Sequence, residues 1–219
     1  LFMNIDNDTY EDLKNKISEA DMVLVGVGFE YKYDFLNGDS ARLEQINKAY
    51  SNLKRLLGDK NHYIISLCYD DLIRDVFADD DNIVSPCGTR RLLQCNTHII
   101  PKDKAISKGD DFICPECGEA LRFNNIECDN YLEEGYLEDF ARYKLWLQGT
   151  VNKKLVILEL GAGMQFPTVI RFAFDKLCMY NLKSYFVRVH ESLYQHTMEN
   201  KGRTTGIQSD SVVFMSNLY

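Results

Sequence analysis

The sequence predicts an α/β fold: a doubly wound parallel sheet interrupted by a small cysteine-bearing module. Three observations carry that expectation. Apolar runs of strand length, such as Met22-Val23-Leu24-Val25 and Leu155-Val156-Ile157-Leu158, lack the alternation of a half-exposed strand and so read as strands buried on both faces. Segments with apolar residues at helical spacing separate them, which is the signature of crossover connections in a parallel sheet. Between Arg90 and about Ile126 this periodicity fades, and turn residues and cysteines replace it.

The elements follow in chain order. Thr9 opens a helical pattern, with Asp12 three residues on as in a capping box and Tyr10, Leu13, Ile17 and Ala20 on one face. The first strand runs from Met22 into Gly26-Val27-Gly28. Ser40 to Leu57 is a second helix, with Leu43, Ile46, Ala49, Tyr50, Leu53 and Leu57 facing inward and Gly58 as its stop. Tyr63-Ile64-Ile65-Ser66-Leu67 is a buried strand, Asp70 to Phe77 a short helix, and Asn82 to Ser85 a brief strand. Beyond the cysteine segment, Tyr131 to Gln148 is helical, with Trp146 a core residue. Lys154 to Leu160 returns to strand and ends on Gly161-Ala162-Gly163. Thr168 to Met179 is helical, and Tyr185 to Val189 is the next strand. His190 closes it as the last parallel strand and reads as a satisfied or exposed surface histidine.

Composition restricts the function. With 219 residues, 45% hydrophobic and only 4 Pro, the chain has enough apolar material for a large core and too little low-complexity character for disorder. A net charge of −8 argues against nucleic acid as a partner, because gripping a phosphate backbone needs clustered Lys and Arg. No apolar run approaches the roughly 18 to 20 residues of a membrane span, and the first residues lack the pattern of a signal peptide. No membrane partner is expected, and the location expected is the cytoplasm.

Seven cysteines cannot all pair, and their uneven spacing does not suit a disulfide framework. Cys95-x2-His98 and Cys114-x2-Cys117, with fifteen residues between, instead match two metal-binding knuckles: each two-residue gap lets a pair turn back on one ion. Three thiolates and one imidazole suit zinc, ahead of four thiolates with Cys128 completing the site in place of His98. Four protein ligands leave no open position, so the zinc is structural and the segment a zinc ribbon.

The glycine turns Gly26-Val27-Gly28 and Gly161-Ala162-Gly163 each close a buried strand. A single such turn is explained equally well by packing. Two at strand ends of one sheet let backbone amides approach a pyrophosphate or ribose from two sides, and so point to a nucleotide. Glu30 and the carboxylates near it work against phosphate.

In their order these features resemble the sirtuin family, the NAD-dependent protein deacylases and ADP-ribosyltransferases, over nearly the whole chain. The family's Gly-Ala-Gly-Ile-Ser with a downstream Pro-Asp-Phe-Arg is matched by Gly26-Val27-Gly28 and, after a shortened loop, by Asp34-Phe35; its Ser, Pro and Arg are absent. Ser66-Leu67-Cys68-Tyr69-Asp70-Asp71-Leu72-Ile73 keeps the Asp and Leu of Thr-Gln-Asn-Ile-Asp-x-Leu-His. Cys87-Gly88 stands where the family has His-Gly, and Gly161 to Pro167 resembles Gly-Thr-Ser-x-x-Val-x-Pro, one residue short. Cys95, Cys114 and Cys117 match zinc ligands, with His98 replacing a cysteine.

The resemblance implies a Rossmann-like NAD-binding domain over 1–89 and 127–219 with the zinc ribbon at 90–126. It implies NAD or ADP-ribose bound by Gly26, Val27, Gly28, Asp34, Phe35, Asp70, Gly161, Ala162 and Gly163, and ADP-ribose transfer to a protein or to water. In that scheme Asp70 orients the ribose side and Cys87 takes the place of the catalytic base, its thiol activated by Arg90 and Arg91. The alternatives are a catalytically inactive nucleotide sensor and a protein-lysine deacylase; Glu127-Cys128-Asp129 in place of the family's Phe-Gly-Glu-like turn counts against acyl-lysine binding.

Overall fold

A computed structural model describes residues 5–109 and 111–219. Its main sheet has six parallel strands: β1 (Met22–Val27), β2 (Asn61–Ser66), β3 (Ile83–Val84), β9 (Leu155–Leu160), β10 (Tyr185–His190) and β11 (Thr204–Gln208). The order across the sheet is β11-β10-β9-β1-β2-β3. From β1 the chain winds outward through β2 and β3, then returns on the other side through β9. The strand order therefore reverses between β1 and β9, which opens a crevice at the carboxyl ends of those two strands.

Both faces of the sheet are covered, as the unbroken apolar runs require. Val23, Val25 and Val27 point into a core with helices α1 (Asn7–Glu19), α2 (Ser40–Leu57) and α6 (Ser211–Ser216). Met22 and Leu24 point the other way, toward helices α4 (Glu134–Gln148) and α5 (Arg171–Tyr180), where Phe174 and Phe186 are fully buried. Each such side chain removed from water contributes about 1.5–3 kcal/mol, so these two layers hold the strand ends in register. Helix α2 starts on the Asp39 carboxylate, which accepts from Ala41 N, and stops at Gly58, whose φ of +49° suits a residue without Cβ.

Between β3 and α4 lies a separate antiparallel sheet. It contains β4 (Gly88–Gln94), β5 (Ile99–Pro101), β6 (Ile106–Lys108), β7 (Asp111–Ile113) and β8 (Ala120–Asn125), in the order β5-β4-β8-β7-β6. Its own small core comprises Leu93, Ile100, Leu121, Cys95 and Cys114. A short helix α3 (Leu72–Val76) precedes β3. No helix of the described residues is long and apolar enough to cross a membrane.

Several expectations are corrected. The first helix is capped by Asp6, whose carboxylate accepts from Thr9 N, rather than by Thr9 itself. The helix expected from Tyr131 begins at Glu134, the one expected from Thr168 begins at Arg171, and that expected over Asp70 to Phe77 contracts to α3. His190 does not close the last parallel strand, because β11 pairs beyond it. That strand is hard to see in the sequence because Thr204-Thr205-Gly206-Ile207-Gln208 lies at a sheet edge and needs no apolar run. Trp146 is only partly buried, its Nε1 donating to Asn61 Oδ1 at 2.6 Å.

Candidate functional site

The crevice at the strand switch is built from the two glycine turns. Val27 and Leu160 are register partners in β1 and β9, so both turns begin side by side. They touch: Gly28 N donates to Leu160 O at 2.8 Å, and a Cβ on Gly28 would lie 2.1 Å from the Gly161 carbonyl oxygen. Gly28 is therefore required by backbone packing. Gly161 has a φ of +64°, the left-handed region that glycine enters without strain. Gly163, two residues on, faces open space: a Cβ there would meet nothing within 4 Å. Gly26 and Val27 lie within β1: Gly26 makes room for the Phe174 ring, and the Val27 side chain is buried in the core.

The second turn is held from beneath by a buried ion network that sequence reading missed. Glu159, the penultimate residue of β9 and fully buried, pairs with Arg188 of β10 and with Arg171 of α5. Arg171 also donates to the Ala162 carbonyl at 2.8 Å. Burial works against the Arg188 charge, and the Glu159 and Asp175 carboxylates outweigh it, so its pKa is raised. Charged residues inside two otherwise apolar strands were the available signal.

Glu30 is tied down rather than free to meet phosphate. Its Oε2 accepts from Ser211 N and Ser211 Oγ at 2.8 and 2.6 Å, and its Oε1 accepts from Glu191 N at 3.3 Å. His190 Nδ1 lies 3.5 Å from the same carboxylate and accepts from Ser192 N and Leu193 N. Glu30 thus joins the ends of β1 and β10 to the start of α6.

An aromatic strip crosses the carboxyl edge of the sheet. Phe29 follows Gly28 and packs 6.0 Å from Phe166, beyond the second glycine turn, and 6.5 Å from Tyr69, beyond β2. Tyr69 ends the strip with a polar cluster: Lys32 Nζ donates to its hydroxyl, and that hydroxyl donates to Glu127 Oε1 at 2.5 Å. Lys32 also reaches the same Oε1 at 3.3 Å. Lys32 and Tyr69 come from the parallel-sheet side and Glu127 follows β8, so the cluster spans the cleft between the two sheets. Glu127 is 64% exposed, and the hydrogen bond from Tyr69 holds its carboxyl below the usual range.

The structure places the expected catalytic residues differently. Cys87 is 2% exposed, and burial pushes its thiol up to about 12. The expected activation by Arg90 and Arg91 is overturned: Arg90 stacks over the Phe35 and Phe123 rings, and Arg91 pairs with Asp75. Asp70 is buried, with a carboxyl raised by burial, and accepts from Tyr33 N and Leu72 N, so its oxygens organise the loops after β1 and β2. Asp34 is exposed and closes a local turn onto Leu36 N and Asn37, while Phe35 lies against the antiparallel sheet through Arg90. A further link has no signal in the sequence. Asp71, at φ +66°, accepts from Thr89 Oγ1 and Arg90 N and so pins β4 to the loop after β2.

The cysteine module gathers Cys95, His98, Cys114 and Cys117 so that one ligand atom of each lies within 4.8 Å of the others. Cys95 Sγ is 3.5 Å from His98 Nδ1 and 3.6 Å from Cys117 Sγ, and Cys114 Sγ is 3.9 Å from His98 Nδ1. A tetrahedral zinc with bonds of about 2.3 Å to sulfur and 2.0–2.1 Å to nitrogen separates its ligands by roughly 3.5 to 3.8 Å, so the donor set fits that ion. Burial opposes ionisation of Cys95, but the Thr97 and His98 N–H groups and the His98 ring outweigh it and lower its pKa to about 6. At Cys117 the Glu119 N–H is outweighed by burial and the neighbouring Cys114 and Cys95 thiols, and the pKa rises to about 11. Without an ion the first thiolate of the cluster therefore forms at Cys95.

Solved structures share this architecture. A Sir2 complex with a p53 peptide and NAD+ superimposes with a TM-score of 0.61 at 14% identity, covering 96% of each chain. A Sir2 homologue mutant with ADP-ribose gives 0.56 at 13% identity, covering 98% of this chain and 95% of the other. The chain has the sirtuin fold. A Sir2 homologue bound to NAD matches this sirtuin-fold chain at 0.56 and 13% identity, over 95% of this chain and 91% of its own. Among curated proteins, the Staphylococcus aureus (strain Mu50) protein named "Protein ADP-ribosyltransferase" is 22% identical over 205 residues, or 83% of the sirtuin-fold chain. The match spans 62% of that relative's length. No family model matches.

Proposed function

We propose that this chain binds NAD or ADP-ribose across the carboxyl edge of the six-stranded sheet, and that with NAD it breaks the nicotinamide glycosidic bond and passes ADP-ribose to a protein acceptor or to water. The observation that carries this reading is the pair of glycine turns packed side by side where the strand order reverses. In open parallel sheets that crevice receives nucleotides, with backbone amides meeting the pyrophosphate. The Gly28 and Gly161 N–H groups are spent on the Leu160 and Val189 carbonyls, so the turn 26–28 shapes the floor while Ala162 and Gly163 supply the amides, with the open flank of Gly163 as the nearest approach. Asp34 and Phe35 border the cleft, and Asp70 shapes the loop beside the ribose. The relatives named for NAD, ADP-ribose and ADP-ribosyl transfer support the same assignment.

Cys95, His98, Cys114 and Cys117 hold one structural zinc, which fixes the antiparallel sheet beside the cleft and takes no part in the chemistry. A second reading, a nucleotide sensor without turnover, is favoured by one observation: the residue at the base position is a buried neutral thiol. Lysine deacylation ranks below both.

Titration calorimetry with NAD and with ADP-ribose tests the binding, and the expected result is saturable heat with each. Absence of heat with both ends the proposal. Nicotinamide release from NAD then separates the readings: release supports the transferase, and thermal stabilisation by NAD without release supports the sensor.

A further inference from the structure

If NAD is the ligand, some group must serve the reacting carbon of its ribose, and the thiol at the expected position is neutral and shut away from solvent. The carboxylates along the carboxyl edge of the sheet narrow the choice, and Asp34 closes its own turn onto Leu36 and Asn37. Asp70 and Asp71 spend their oxygens on backbone and hydroxyl donors of their own loops. Glu30 is committed to Ser211 and Glu191 at the far end of the crevice. Glu127 is different. Its neighbour Ile126 donates its backbone N–H to the Cys87 carbonyl at 3.1 Å, so the backbone that carries Glu127 continues from the segment bonded to Cys87. Both of its hydrogen bonds, from Tyr69 and from Lys32, reach Oε1, and among the described residues none reaches Oε2. The carboxylate is thus anchored by one oxygen, while the other is unengaged among the described residues on a side chain that is 64% exposed.

We infer that Glu127 is the catalytic carboxylate of this site, stabilising positive charge on the ribose carbon and accepting the proton of the attacking water, with Tyr69 and Lys32 as its positioning residues. This rests on the NAD reading. In the step, the bond between the ribose carbon and the pyridinium nitrogen breaks, and its electron pair goes to nitrogen, leaving neutral nicotinamide. The water oxygen bonds to the ribose carbon while one water proton passes to Glu127 Oε2, and the carboxyl later returns it to solvent. NAD+ and water thereby become ADP-ribose, nicotinamide and a proton. An ionised carboxylate beside a carbon with oxocarbenium character is the arrangement that glycosidic cleavage uses elsewhere. Tyr69 and Lys32 keep Glu127 ionised through hydrogen bonding and opposite charge, the condition for that role.

The test uses the whole chain with NAD, measuring affinity by calorimetry, nicotinamide release by chromatography, and folding by thermal melt. Glu127→Gln keeps the size and exposure of the side chain. The expected result is an unchanged melt, NAD affinity within about threefold of wild type, and turnover lowered about a hundredfold or more, the usual scale for losing a proton acceptor. Tyr69→Phe removes the bond that holds the Glu127 carboxyl low, so the acid limb of the turnover profile moves to higher pH, which a merely structural role would not produce. Turnover retained in Glu127→Gln overturns the inference while NAD binding stands. So does a loss confined to KM, or a wild-type chain that binds NAD and releases no nicotinamide. A wild-type chain that does not bind NAD ends the underlying reading, and this one with it.

Discussion

The Arg188 guanidinium grips both oxygens of the Glu159 carboxylate, at 2.8 and 3.0 Å, in the interior between β9 and β10. Because Arg171 shares that carboxylate and also holds the Ala162 carbonyl, the pair underlies the second glycine turn. Removing Arg188 leaves Glu159 with Arg171 alone and takes the ion partner from Asp175. Arg188→Met is expected to cost about 3–5 kcal/mol in urea unfolding.

Zinc removal tests the cysteine module. Metal analysis is expected to find about one zinc per chain, and a chelator to lower the melting temperature. Cys117→Ser weakens retention, whereas His98→Cys preserves it, because a fourth thiolate suits the same ion. A metal-free protein with an unchanged melt contradicts the assignment.

The glycines separate by what surrounds them. Gly28→Ala forces a Cβ against backbone atoms of Gly161 and Ala162 and is expected to destabilise by at least about 1–3 kcal/mol, the scale of overpacking. Gly163→Ala meets nothing within 4 Å and should leave the melt unchanged. If Gly163 borders the nucleotide, its substitution weakens NAD binding all the same, which calorimetry would detect.

Cys87→Ala is expected to leave nicotinamide release within a few-fold of wild type, because a thiol with a pKa of about 12 is not ionised at neutral pH. A maleimide should likewise fail to modify Cys87 in the folded chain at pH 7.5. Fast labelling there would show that the thiol is neither buried nor inert.

Burial lowers the pKa of His190 and of His196, so the folded state resists protonating them. The sign follows from proton linkage: once the pH falls below the ordinary histidine value of 6.5, the unfolded chain binds more protons than the folded one. Stability should be steady from pH 8 to about 7 and decline between about pH 6.5 and 5. Denaturation midpoints across that range check it, and His196→Phe should reduce the slope.

Much of the architecture is legible in the amino-acid order alone. Apolar runs such as 22–25 and 155–158 have to be buried on both faces, and that alone demands a covered parallel sheet. Cys95, His98, Cys114 and Cys117 carry their meaning in local spacing, and the four ligand atoms do converge. The edge strand β11 carries little apolar signal, because one side of an edge needs no partner.

The site shows where local reading ends. Periodicity placed the two glycine turns at strand ends, since strand length and turn residues are properties of short segments. Only tertiary structure brought Glu127 to Tyr69, 58 residues away, and to Lys32, 95 away, or buried Cys87 beyond the reach of its neighbouring arginines. Pairings over such separations leave no periodic trace in the chain; they arise when two sheets pack and bring their loops into one cleft. Local order in the chain therefore specifies the layers and the metal knuckles, while packing selects the carboxylate that meets Tyr69 and Lys32.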